Sequence, residues 1–428
     1  MASVARATAE DCHELADIQF DAFSPSVIHQ TVFANVTKEN STKKLGASFA
    51  KCVEGDSNEV FKAFVRDAET GRDKLVGLAI WDLPKAKDKK RQEADEKKKK
   101  EEGMSDEEKR AEREKHFPDG ANYDLAASFF GRLDPQVDEP FYRLSILAID
   151  PATQRTGAGA KLLKWGCHEA DKAGVATFLE ATDVGVGLYR KWGFEMWGEP
   201  ITGGDNNEMI LWPMRRPPLE IRPFRRSDFP SLCEIYYEAF EPTTIWQYNF
   251  KHVTRQASDR SFKRRLEDIF DEIDNDGNTC TSKRELVVAV RGDKVLGFAA
   301  WEKVPDKSGR PEKKGGSVWA MPEGADEEQA KELLSAIRAA VGAYEKKHWY
   351  LGLLAINPKT QKGGIGRVLT EWGIERAKKD GADVVLGSTE FGKKLYESLG
   401  FKDFGDPVVA SKDPNVINWP MLLRTSAE

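Results

Sequence analysis

Paired cysteines are missing from this chain of 428 residues. Its five cysteines, Cys12, Cys52, Cys167, Cys233 and Cys280, are scattered and odd in number. No C-x-x-C pair occurs, which excludes a disulfide framework and a thiolate zinc site and fits a reducing compartment. The six histidines form no H-x-x-x-H spacing, so no metal is expected. No apolar run approaches the roughly 20 residues of a membrane span. The first residues, MASVARATAEDCHELAD, place acids where a signal peptide needs an apolar stretch. A cytoplasmic location follows as the expectation, with a nuclear one left open by the KKKK run at positions 97–100. Basic excess is absent too: the formal net charge is -6, against the balance of a general nucleic-acid binder.

What the chain does have is length and internal repetition. At 428 residues it exceeds one ordinary core, and 40% hydrophobic residues suffice to build more than one. Pro151 and Pro358 lie 207 positions apart, and so do Gly157 and Gly364, Gly159 and Gly366, Tyr189 and Tyr396, and Trp212 and Trp419. Upstream the offset grows: GLAIW (Gly77–Trp81) matches GFAAW (Gly297–Trp301) at 220, and Phe23 matches Phe240 at 217. A solenoid has a far shorter period, so this is a duplicated domain. The copies are expected over 1–214 and 219–428, joined by the linker Arg215–Pro218, RRPP, whose prolines disfavour helix.

Each copy opens on a helical pattern (ELADIQFDAF, SLCEIYYEAF). A strand follows (KLVGLAIW, KVLGFAAW), then a nearly continuous apolar run expected of a buried central strand (LSILAI, LGLLAI). Next come the glycine turns QRTGAG and QKGGIG, each opening a helix, then a further strand and a short helix ending LYRKWGF or LYESLGF. The order is a mixed α/β layer around one sheet. Helix N-termini favour anions, and glycines let a diphosphate approach the backbone. The turns lack the third glycine of a dinucleotide fingerprint, where Leu162 and Leu369 stand, and lack the GK[S/T] of a Walker loop.

The full order, L-x-x-L-A-x-x-P, then Q-x-x-G-x-G, then L-Y-x-x-x-G-F, resembles the GNAT superfamily of acyl-CoA-dependent N-acyltransferases, twice over. The resemblance implies two tandem GNAT domains, each a mixed, mostly antiparallel sheet with a splayed central strand flanked by helices. It implies acetyl-CoA as cofactor. Leu147 and Ile149, and Leu354 and Ile356, would offer strand amides and carbonyls to the pantetheine arm. Gln154, Arg155, Gly157, Ala158, Gly159 and Ala160 would wrap one diphosphate, and Gln361, Lys362, Gly364, Ile365, Gly366 and Arg367 a second. Tyr189 and Tyr396 are the general-acid candidates.

Glu180, on the strand beside the cleft, is a candidate base or water-relay residue. Its counterpart is Gly387, while copy two carries Glu390 where copy one has Asp183. Asp150 likewise faces Asn357. Trp81 and Trp301 either close a hairpin core or wall an acceptor pocket. The implied reaction is acetyl transfer to a primary amine, of a small molecule first. The alternatives are protein lysines or N-termini as acceptors, or one catalytic copy beside a non-catalytic acyl-CoA-binding copy. Neither nucleic acid nor membrane is expected as a partner, and oligomeric state is undetermined.

Two segments stand outside the repeat. Lys85–His116 is almost wholly charged, so a solvated helix or disorder is expected. It lies before FPDGA (Phe117–Ala121), whose counterpart is MPEGA (Met321–Ala325); the resemblance associates such a segment with fungal members. Glu272–Lys283 imitates a calcium loop but ends on Lys283 where a bidentate glutamate is required, so calcium is rejected.

Overall fold

The computed structural model describes residues 2–66, 71–85, 96, 103–133, 135, 137–275, 284–307, 321–360 and 363–425. The chain divides into two compact units, Met1–Leu219 and Glu220–Glu428.

In the first unit an eight-stranded sheet runs in the order β1 (Ser3–Arg6), β2 (Asn58–Arg66), β3 (Asp73–Asp82), β4 (Phe141–Ile149), β5 (Ala176–Ala181), β8 (Met209–Arg216) and β6 (Glu195–Met196), with β7 (Ile201–Gly203) on β8. Its helices are α1 (Cys12–Phe23), α2 (Val27–Val32), α3 (Lys38–Glu54), α4 (Asp106–Glu114), α5 (Tyr123–Phe130), α6 (Ala158–Ala173) and α7 (Asp183–Lys191).

The second unit repeats the plan. The strands are β9 (Leu219–Pro223), β10 (Arg284–Arg291), β11 (Lys294–Val304), β12 (His348–Ile356), β13 (Asp383–Ser388), β14 (Lys402–Asp403), β15 (Val408–Ala410) and β16 (Asp413–Leu423). They lie in the order β14-β16-β13-β12-β11-β10-β9, with β15 on β16. The helices are α8 (Phe229–Phe240), α9 (Thr244–Phe250), α10 (Arg255–Asn275), α11 (Glu327–Gly342), α12 (Ile365–Lys379) and α13 (Lys393–Ser398).

In each sheet one pairing is parallel, β4 with β5 and β12 with β13. A parallel step needs a crossover, and α6 or α12 supplies it. Both sheet faces are therefore covered, and β4 carries buried residues towards each. Leu144 packs with Trp81, Leu162 and Leu163 beneath α6, while Ala148 packs with Leu15 and Leu78 beneath α1.

One expectation needs correction. Arg215 and Arg216 are not linker; they complete β8, paired with Phe178 and Thr177. Arg216 is buried there in a bidentate ion pair with Asp171 of α6, at 2.5 and 2.6 Å. Trp81 and Trp301 are core residues, the first of the two readings given for them. They are 0% and 1% exposed, and each indole packs on a helix glycine, Gly166 or Gly373. Of the charged segment, Asp106–Glu114 is helix, begun by reciprocal bonds between Ser105 and Glu108. The KKKK run and positions 276–283 of the calcium-like loop lie outside the described residues. Among the described residues no helix is long and apolar enough to cross a membrane, and no group of three or more His, Cys, Asp or Glu is placed to hold a metal.

Candidate functional site

The site begins where the central strand leaves its parallel neighbour. β4 pairs with β5 only from Phe141 to Leu144, and β12 with β13 only from His348 to Leu351. The next residue in each, Ser145 or Gly352, is an extra one in the ladder to the preceding strand. Ile80 and Trp81 face Ile146 and Leu144, and Ala300 and Trp301 face Leu353 and Leu351. A bulge of this kind bends the strand and reverses which residues face which side.

Beyond the bulge the hydrogen-bonding direction is set by the strand ends. The Asp150 amide donates to the Val76 carbonyl at 2.9 Å, and the Asn357 amide to that of Leu296 at 2.9 Å. Alternation then aims Ala148 and Ile146 at β3, and leaves the amides and carbonyls of Leu147 and Ile149 on the open edge. Leu354 and Ile356 hold the same places in the second unit. Each unit thus presents a short unpaired strand edge within the body of its sheet.

The glycine turn follows directly. Asp150 accepts from the Ala152 amide at 2.9 Å, and Asn357 from that of Lys359 at 3.0 Å. The Asp-to-Asn difference therefore preserves the turn and changes only its charge. Gln154, Arg155 and Gly157 are exposed; Arg155 has φ 65° and Gly157 φ 86°. Gly364 has φ 90°. Both glycines cap their helices in the left-handed region with no side chain to offer the first amides. The intrahelical ladders start with Lys161 N–H to Gly157 O (3.2 Å) and Val368 N–H to Gly364 O (3.1 Å).

The amides of Ala158, Gly159 and Ala160, and of Ile365, Gly366 and Arg367, thus have no helical acceptor. No atom lies within 4 Å of a Cβ built on Gly157, so the space above the first turn is open. The Arg367 guanidinium is directed to Glu371 of its own helix (3.3 Å) and to Ser398 of α13 (2.6 Å), which leaves its backbone amide as its contribution to the turn. Gln361 and Lys362 lie outside the described residues.

Tyr189 and Tyr396 stand on the short helix after the next strand, 8% and 7% exposed. Each ring folds back over a glycine one turn earlier: a Cβ on Gly185 or Gly392 would meet the ring at 2.8 Å. Each also meets an aromatic edge, from Phe194 or Phe401. Neither hydroxyl bonds a described residue. Burial pushes both phenols above their ordinary value.

Glu180 is tied down. Its carboxylate accepts from Arg143 at 2.8 Å, and Arg143 also faces Asp82 at 3.7 Å. Asp82 in turn accepts from Ser145 Oγ (2.5 Å) and Asn58 (2.7 Å). This network joins four strands beside the bulge. Asp82, Arg143 and Ser145 were missed in the sequence reading, although an arginine inside the apolar run FYRLSILAI demands a buried partner. The second unit lacks the network: Tyr350 replaces Arg143, Gly352 replaces Ser145 and Gly387 replaces Glu180. Asp183 bonds Trp212 Nε1 at 2.6 Å, whereas Glu390 accepts from the Thr244 amide at 2.8 Å.

A family model described as an acetyltransferase (GNAT) domain matches residues 95–215 and 324–414, once in each unit. No curated protein matches the chain. Among solved structures, a histone acetyltransferase HPA2 and related acetyltransferase from Corynebacterium glutamicum aligns at 23% identity and TM-score 0.32, over 51% of this chain and 96% of its own. A PaiA N-acetyltransferase from Thermoplasma acidophilum, in complex with coenzyme A, aligns at 15% and 0.32 over 48% and 98%. YncA, a putative acetyltransferase from Salmonella typhimurium with acetyl-CoA, aligns at 16% and 0.29 over 49% and 95%.

Proposed function

Since the chain carries the GNAT acetyltransferase domain twice, we propose that it is an N-acetyltransferase with two acetyl-CoA sites, acting on a primary amine of a small molecule. The observation that carries this reading is the same in both units. An unpaired strand edge starts at a bulge and leads into an uncapped helix N-terminus. The edge fits an amide-bearing arm such as pantetheine. The helix amides and open turn fit a diphosphate, each charge-assisted bond contributing about 1.5–3 kcal/mol.

Bound there, acetyl-CoA supplies the acetyl group as a thioester. The residues of the chain do the rest. A lysine-type amine has a pKa near 10.4, so it must release a proton to solvent water before it attacks. A backbone amide of the splayed edge would stabilise the oxyanion formed on attack. Tyr189 and Tyr396, kept protonated by burial, would supply the proton to the departing sulfur. We assign Glu180 to orienting Arg143 and through it the bulge, in place of proton acceptance, because its carboxylate is engaged.

The test is titration of acetyl-CoA against the full chain, followed by thiol release with small amines and peptides. Two sites per chain and amine-dependent release are expected. Absence of acetyl-CoA binding rejects the reading, and release with peptides alone shifts the acceptor to protein.

A further inference from the structure

The two units differ at two buried positions of one layer, aliphatic in one unit and carboxamide in the other, within surroundings that are apolar in both. In unit one, α2 packs on β8 through Val32 and Leu211, 1% and 7% exposed, which share a cluster with Ala126, Phe129 and Met209. The same layer in unit two lies between α9 and β16, and the equivalent positions are Asn249 and Asn418, 1% and 4% exposed. The equivalence is structural as well as serial. The carbonyl of Val32 accepts from Asn122 N, and that of Asn249 from Asp326 N. Leu211 pairs with Ile201, and Asn418 with Val408.

Unit two therefore buries two carboxamides where its twin buries two aliphatic side chains. Among the described residues Asn249 Nδ2 and Oδ1 and Asn418 Oδ1 have no partner. A third residue with an orphan atom holds the start of the same helix. Glu390 Oε1 receives the first amide of α9, while Oε2 is buried with no partner. Ser388 pairs with Trp419, so Asn418 falls opposite Thr389, the residue before Glu390. Gly387 makes the room, since its Cβ would stand 2.6 Å from Asn418 Oδ1. Native cores seldom leave such atoms unpaired, and a bound polar ligand is one way to complete them.

We propose that Asn249, Asn418 and Glu390 form the acceptor subsite of unit two. It takes a small ammonium compound bearing a second hydrogen-bonding group, and unit one does not accept such a compound in this layer. The inference rests on the acetyltransferase reading. The Glu390 carboxylate receives the ammonium; the carboxamides, which both donate and accept, receive the substituent. Val32 and Leu211 offer neither function.

The test uses the full chain with Gly157→Val, which confines acetyl-CoA to unit two, and glycinamide, ethanolamine and n-butylamine as probes. Thiol release is expected to favour glycinamide and ethanolamine over n-butylamine by at least about tenfold in kcat/KM. Installing the residues of unit one, Asn249→Val with Asn418→Leu, should abolish that preference and raise Tm, with acetyl-CoA affinity unchanged. Glu390→Gln should weaken all three amines.

Equal use of the three amines, no turnover of any of them while acetyl-CoA binds, or a preference that survives the double substitution overturns the inference and leaves the cofactor sites standing. Failure of acetyl-CoA to bind at all rejects the underlying reading, and this inference with it.

Discussion

A Cβ added to Gly166 would stand 2.4 Å from the indole of Trp81. The same relationship recurs between Gly373 and Trp301, at 2.2 Å. Each tryptophan lies on the strand preceding the splayed one, next to the bulge, so the helix that begins at the glycine turn is seated against the sheet through this contact. Gly166→Ala or Gly373→Ala is expected to cost about 1–3 kcal/mol by overpacking. For a domain of this size each kcal/mol lowers Tm by roughly 2–4 °C. Calorimetry checks it; an unchanged Tm removes the contact as a determinant of the fold.

Substitution at the turn should separate binding from folding. Gly157→Val places a β-branched residue at φ 86° but meets no atom within 4 Å, so the fold persists at a strain cost of about 1–2 kcal/mol. Acetyl-CoA stoichiometry by calorimetric titration should fall from two to one, and Gly157→Val with Gly364→Val should remove both sites.

Tyr189→Phe and Tyr396→Phe remove hydroxyls that bond no described residue, so stability should hold while turnover in the affected unit falls by about 10²–10⁴-fold. Both phenols have a folded pKa above the unfolded one. Their contribution to stability is therefore complete below about pH 10 and is lost as pH rises towards the folded value. Neither tyrosine should impose an alkaline limb on the rate below about pH 10. A limb near neutrality that disappeared in the phenylalanine variants would contradict the assignment.

Acid sensitivity should come from a matched pair of carboxylates at the first turns. Burial alone would raise Asp11 and Asp228, but both are lowered. Lys62 and the amide and hydroxyl of Thr8 act on Asp11, and Arg222 with the Arg225 amide acts on Asp228. A depressed carboxylate stabilises above its unfolded pKa of about 3.9 and loses that contribution as pH falls through the folded value. Unfolding free energy should decline below about pH 4, and Asp11→Asn with Asp228→Asn should flatten the decline.

The buried pair Arg216–Asp171 belongs to unit one alone, since Leu423 and Lys378 stand at the matching places. Arg216→Leu leaves Asp171 charged and buried, at an expected cost of about 3–5 kcal/mol, whereas Arg216→Leu with Asp171→Leu should recover most of it. Denaturant unfolding of the two variants makes the comparison.

Much of this architecture is legible in the linear order because the motifs recur. A strand, a glycine turn, a helix and a tyrosine appear twice in the same sequence, and each has a local signature. The remainder depends on contacts between distant segments. Nothing local in RRPP reveals that its arginines extend a strand, because the deciding partner, Asp171, sits on a helix formed earlier in the chain. Glu180 reads as a free carboxylate until Arg143 is brought alongside it. Asn249 and Asn418 look like ordinary surface residues, and only folding buries them.

The bulge at Ser145 and Gly352 carries a consequence for how such a site can be lost. One extra residue inverts the parity of everything after it, so Leu147 and Ile149 face the core under α6 while Ala148 faces the core under α1. Deleting that residue would keep every hydrophobic side chain in the strand yet transpose the two sets, turning the offered amides inward and the paired ones out. Recognition in this protein is thus a matter of counting as well as chemistry, and a length change of one can silence a unit whose glycine turn and tyrosine remain intact.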